Sequence, residues 1–163
     1  MKKHKVEKSN AVMIITPIAV ALILFAEYHF IKSLFYYFDW PSLAMSIGLF
    51  VICFYFFVES PRYIVLTDSH LILKKMFGNL VITLDEIEEI QLYSANSFNY
   101  RLFGSGGLFG FIGLFGNKET GKYRAYIGDY KQAFIIKTKN QKNFVLSCEN
   151  RDEVIDIIKS TMR

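Results

Sequence analysis

Apolar and polar positions divide the chain at Ser60. Before it, hydrophobic residues run almost unbroken: residues 11 to 26 read AVMIITPIAVALILFA without a charge, extended by Tyr28, Phe30 and Ile31 beyond Glu27, and residues 41 to 58 read PSLAMSIGLFVICFYFFV, eighteen more without one. At about 1.5 Å rise per residue the second run reaches about 27 Å, close to the roughly 30 Å of a bilayer's hydrocarbon. The pattern predicts two transmembrane helices, over about 11–31 and 41–58. Helices satisfy their own backbone groups in lipid, and Pro17 and Gly48 are tolerated in them. The intervening EYHFIKSLFYYFDWP is rich in the aromatic residues that settle at membrane interfaces, so it is expected to form a short hairpin turn at the far surface.

Beyond Ser60 the runs shorten, gain β-branched and aromatic residues, and are separated by turn signals. Seven strands are predicted: RYIVLT (62–67), HLILKKMF (70–77), LVITL (80–84), EEIQLY (88–93), KYRAYI (122–127), AFIIKT (133–138) and NFVLS (143–147). Asn150 followed by Glu153 has capping-box spacing, and Val154, Ile157, Ile158 and Met162 recur on one helical stripe that must be buried against the sheet. The predicted class is α+β: a two-helix transmembrane hairpin, then a seven-stranded antiparallel β-barrel capped by a C-terminal α-helix.

Composition and charge sharpen this outline. Apolar residues make up 52% of the chain and are concentrated in residues 1–58, which favours an anchor plus one small domain. No small-residue cleavage site follows the first run, so an uncleaved anchor is expected rather than a signal peptide. Lys2, Lys3, Lys5 and Lys8 precede the first span, whereas Lys32 alone lies between the two. By the positive-inside rule this puts a basic tail (1–10) and the domain (60–163) on the cytoplasmic side of the inner membrane. Cys53 and Cys148 are far apart and are read as reduced packing residues.

The order of strands with a terminal helix resembles the pleckstrin-homology-like fold, and the two spans ahead of it resemble bacterial membrane proteins that carry such domains. The more specific likeness is RLFGSGGLFGFIGLFGNKETGKYRAY (101–126), whose Arg-x-Phe-Gly-Ser-Gly-Gly opening and later Asn, Gly and Tyr are similar to the signature of one bacterial subgroup. The resemblance implies a membrane-tethered interaction module, and it supplies no catalytic residues.

Candidate chemistry is sparse. His4, His29 and His70 lack metal-ligand spacing, and Ser105 lacks the surroundings of a hydrolase elbow. No cofactor, metal, nucleic acid or small-molecule substrate is expected, and the protein is read as a non-enzyme. Asp85, Glu86, Glu88 and Glu89 are read as a solvated edge. Glu27, His29 and Lys32 either form a membrane-buried polar site, as in a subunit of a membrane complex, or simply end the first helix.

The Gly/Phe-rich insertion at 101–121 holds the distinctive stretch GSGGLFGFIGLFG (104–116). Its spacing fits neither a phosphate loop nor a transmembrane helix, so an irregular segment is expected. Its apolar residues either fill the domain or meet the spans and the inner leaflet, with the weight on the membrane side. Arg101, Leu108, Phe109, Phe111, Ile112, Phe115, Lys118, Lys122 and Arg124 are the residues expected at a lipid or membrane contact. Two functions follow: binding a protein partner or a second copy at the membrane, or sensing anionic lipid, where each basic side chain contributes on the order of 1 kcal/mol near the surface.

Overall fold

The computed structural model describes residues 2–94 and 99–161. Two long helices stand on a β-rich domain. Helix α1 (Asn10–Tyr36) is capped by Ser9 and continues through Glu27 to Tyr36. The predicted aromatic turn is therefore mostly helix, and only residues 37–39 separate α1 from α2 (Trp40–Val58). Asp39 accepts the Ser42 N–H at 2.8 Å and Pro41 occupies the first turn, both strong starting signals for α2. Glu27 does not end α1, and its carboxylate has a partner across the hairpin, accepting the Ser46 hydroxyl at 2.5 Å. Both helices are long and apolar enough to cross a membrane, and their apolar side chains are largely exposed.

The described residues form ten strands rather than seven, in two sheets that do not close into a barrel. All seven predicted strands are present. The first sheet has the order β1 (Lys2–Lys5), β2 (Pro61–Leu66), β3 (His70–Lys75), β4 (Asn79–Thr83). The second has the order β5 (Ile87–Leu92), β9 (Ala133–Thr138), β10 (Asn143–Ser147), β8 (Gly121–Ile127), β7 (Phe111–Asn117), β6 (Tyr100–Gly106). It is not wholly antiparallel, because β10 slots between β8 and β9 and runs parallel to β8.

Two corrections concern the added strands. The basic segment expected as a tail is β1, paired antiparallel with β2 from Lys2↔Leu66 to Lys5↔Tyr63. The glycine stretch expected to be irregular is a β-hairpin, β6 with β7. Its glycines mirror one another across the turn. Gly104 lies opposite Gly113, and Gly107 donates its N–H to the Gly110 carbonyl at 3.1 Å across a two-residue tip, Leu108 and Phe109. A Cβ on Gly113 would sit 2.6 Å from the Gly104 Cα and run into the Phe103 carbonyl, at a φ of 133° that side chains rarely adopt. Only glycine fits a backbone approach this close.

The main core lies between the sheets. Ile64, Leu71, Leu73 and Ile82 of the first sheet meet Ile112, Phe134, Ile136 and Leu146 of the second. Helix α3 (Arg151–Thr161) adds Val154, Ile155 and Ile158, packing on β5 and β9. Its predicted stripe is seated as expected except for Met162, which lies outside the described residues. The capping box does not form: Asn150 has φ 56°, outside the extended conformation of a capping residue, and the Glu153 carboxylate is taken by the Lys2 ammonium. A second core on the opposite face of the larger sheet gathers Tyr93, Phe115, Tyr123, Ala125 and Val145.

Candidate functional site

Two neighbouring places gather the unusual side chains: the junction where the helices meet the domain, and an open seam between the two sheets. At the junction the glycine hairpin tip reaches both helices. Thr16 of α1 donates its hydroxyl to the Gly107 carbonyl at 3.2 Å and accepts the Phe109 N–H at 3.0 Å. Ser60, just past α2, donates to the Phe109 carbonyl at 3.1 Å. The Phe109 ring meets Phe57 edge-on at 5.5 Å, and Ile15 packs over Gly107. Phe109 holds φ 61°, a left-handed conformation that non-glycine residues adopt only when their surroundings enforce it. Those surroundings are the two hydrogen bonds to its own backbone, from Thr16 of α1 and from Ser60 just past α2, and the third that Thr16 makes to Gly107.

Beside the tip, Glu59 at the end of α2 ties the helix to the domain. Its carboxylate pairs with Lys75 of β3 at 2.6 Å and accepts the Tyr126 hydroxyl at 3.1 Å, with the lysine and glutamate side chains only 13% and 17% exposed. Burial, then the negative charge of Glu59, hold the Tyr126 phenol well above its ordinary pKa. The β3–β4 turn hydrogen-bonds the helix end too, Met76 N–H to the Ser60 carbonyl at 2.8 Å and Phe77 N–H to the Val58 carbonyl at 3.2 Å. Phe77 and, on β6, Phe103 nevertheless remain 60% and 65% exposed.

The seam follows from the failure of the sheets to close. A cleft of about 530 Å³ opens between β4, the last strand of the smaller sheet, and the face of β8 and β10. Leu80, Ile82, Leu114 and Phe144 make its floor, with Lys122, Arg124 and Lys142 at its rim. Arg124 and Leu114 also line a smaller cleft of about 230 Å³ beside Glu59 and Lys75, so the seam begins at the helix junction.

The residues expected at one membrane contact are thus distributed. Leu108 and Phe109 are at the junction, partly buried against the main core. Ile112 lies inside that core at 2% exposure, while Phe115 stacks on Tyr123 in the second core and Phe111 packs on Tyr130 at 4.7 Å. Ile112 and Phe115 have no route to lipid in this fold. Arg101 is exposed, its guanidinium folded back over Gly106 beside the tip. Lys118 lies in the turn after β7, seven residues or about 23 Å along from Phe111, away from the helices. Lys122 and Arg124 line the seam. Sequence reasoning missed Phe77 and Phe103, since single exposed phenylalanines carry no periodic signal.

Ser105 and Asn117 of the family-like segment 101–126 have structural roles. Ser105 donates to the Leu108 carbonyl at 2.8 Å and steadies the tip. Asn117 accepts the Thr120 N–H at 2.6 Å, shaping the β7–β8 turn, and donates to the Tyr93 hydroxyl at 3.0 Å, which contacts the Tyr123 hydroxyl at 2.9 Å. Residues 62–162 match the family model described as Bacterial PH domain. No curated protein and no solved structure matches the chain.

Proposed function

We propose, from the premise that this chain belongs to the bacterial PH domain family, that it is a membrane-anchored, non-enzymatic module that docks a protein partner or a second copy at the cytoplasmic face of the inner membrane. The observation that carries this reading is the mounting of the domain. Thr16, Ser60 and Glu59 fix one hairpin tip and two strands to the ends of both helices, so the domain's binding surfaces are held at a set height and orientation instead of swinging on a linker. Neither the junction nor the seam brings together a nucleophile, a general base and an orienting group, the geometry that bond-making chemistry requires. Crosslinking in native membranes followed by mass spectrometry tests the proposal: reproducible crosslinks from the domain to one partner or to itself are expected, and a strictly monomeric, partner-free protein counts against it.

A second reading has its own observation. Phe77 and Phe103 are exposed beside the end of α2, with Arg101 near the hairpin tip, a combination suited to the headgroup region of an anionic leaflet. A fluorophore at Phe103→Cys in the full chain, reconstituted with lipid-borne quenchers, decides this reading. Quenching supports contact with the leaflet, and its absence removes it.

A further inference from the structure

We infer that the seam is a binding site for an extended, acidic polypeptide segment, which adds to the free edge of β4 as an extra strand. This deepens the docking role proposed above and rests on it for its biological setting, while its geometry stands separately.

The first observation is the state of the β4 edge. β4 pairs only with β3, in the register Leu71↔Ile82 and Leu73↔Leu80. The flanking bonds, Lys75 N–H to the Gly78 carbonyl and Leu84 N–H to the Ser69 carbonyl, fix which pairs exchange hydrogen bonds: alternate positions from Gly78 through Leu80 and Ile82 to Leu84. In an antiparallel ladder the intervening residues direct their backbone groups the other way. Asn79, Val81 and Thr83 therefore present three N–H groups and the Asn79 and Val81 carbonyls along the outer edge without a hydrogen-bond partner among the described residues, while the Thr83 carbonyl turns into the 3-10 turn Leu84–Glu86. An unpaired row of this kind is a template for strand addition.

The second observation is what surrounds that edge. Leu80, Ile82, Leu114 and Phe144 give an apolar floor, while Lys122, Arg124 and Lys142 stand at the rim against one carboxylate, Glu86. None of the three cations makes a salt bridge among the described residues. An added strand sends alternate side chains to opposite faces. Arg124 is the cross-strand partner of both Leu114 and Phe144 and so rises from the same face as the floor, and the inner face of the added strand would carry apolar side chains to the floor and acidic ones to the cations. A basic segment would face net like charge, and a purely polar one would leave the floor wet. The five residues of β4 set the paired length at about five residues, roughly 17 Å.

The test uses the full chain in nanodiscs of phosphatidylcholine, so that anionic lipid does not compete. The probes are an acetylated, amidated octapeptide Thr-Val-Thr-Glu-Thr-Val-Thr-Glu, which carries Val and Glu on one face, its Val/Lys counterpart, and the Val/Glu peptide N-methylated at alternate residues to block one pairing edge. The Val/Glu peptide is expected to bind and the other two to bind at least about tenfold more weakly. Val81→Pro removes one outward N–H at an edge where proline is tolerated, and should weaken Val/Glu binding about tenfold with an unchanged thermal melt. Arg124→Glu with Lys142→Glu should reverse the preference towards the Val/Lys peptide. The inference is overturned if the Val/Glu peptide does not bind, if N-methylation and Val81→Pro have no effect, or if short-chain phosphatidylserine binds the seam and the peptide does not. Native crosslinks mapping elsewhere on the domain would sink this site and leave the docking role standing. Peptide binding here without any native partner would do the reverse.

Discussion

Gly104 and Gly113 show why single atoms matter in this molecule. Their backbones approach so closely that one methyl group must displace main chain, and Gly113 also has φ 133°. Gly113→Ala should lower unfolding stability by about 2–5 kcal/mol, combining backbone strain with overpacking. Gly78 has φ 77° but open space around it, so Gly78→Ala should cost about 1 kcal/mol. Thermal unfolding of both variants side by side separates the two causes. At the tip, Thr16→Val keeps the shape and removes a donor and an acceptor, leaving Phe109 N–H unpaired. A loss of about 1–3 kcal/mol is expected, with faster hydrogen exchange confined to residues 107–110. Titration gives a third expectation. Cys148 is fully buried, and burial, then the neighbouring Glu149, push its thiol up to about 12 from 9.0, while burial, then Tyr93, push the Tyr130 phenol up to about 12 from 10.0. The unfolded chain releases these protons first. The stability they contribute is therefore complete below about pH 9 and is lost as pH rises through about 12, seen as a falling melting temperature over that window.

The strand β1 extends the argument to elements. It supplies a four-residue ladder to β2 and places His4 in a site only 4% exposed, and its loss should destabilise the domain by roughly 2–4 kcal/mol at about 1 kcal/mol per hydrogen bond. Deleting residues 2–5 and following limited proteolysis at β2 measures this. Nothing in KKHK advertises a strand, since it lacks apolar alternation and its partner lies some sixty residues away. The seven strands and helix α3 were legible because each shows alternation or a 3.6-residue stripe between turn residues. β6 and β7 were hidden for another reason: glycine depresses the strand signal, and the spacing of three reads as a repeat until the chain is folded back on itself. Ile112 and Phe115, for which packing inside the domain and contact with the membrane both stood open, lie in the two cores. Lys122 and Arg124 were legible as cations, but the seam they line exists only because the sheets stay open, which no local pattern encodes.

At the scale of the whole molecule, β1 precedes the helices and β2 follows them, so the pair of apolar helices is an insertion between two adjacent strands of one sheet. The outer ends of α1 and α2 consequently lie on the same side of any membrane that both helices cross, and α3 joins them there through the Lys2–Glu153 ion pair. Cysteines placed at Lys3 and Lys159 should label from the same face of sealed vesicles with a membrane-impermeant maleimide; labelling from opposite faces would contradict this fold. The same connection orders biosynthesis. When Lys2–Lys5 emerge from the ribosome their partner strand has not been made, and it arrives only after both apolar helices have been synthesised. A nascent chain in which one segment fails to insert leaves the two halves of the ladder on opposite sides, with the raw edge of β2 open to proteases. In a membrane that both helices cross, the β1–β2 ladder can close only once both have crossed, so a complete sheet reports correct threading.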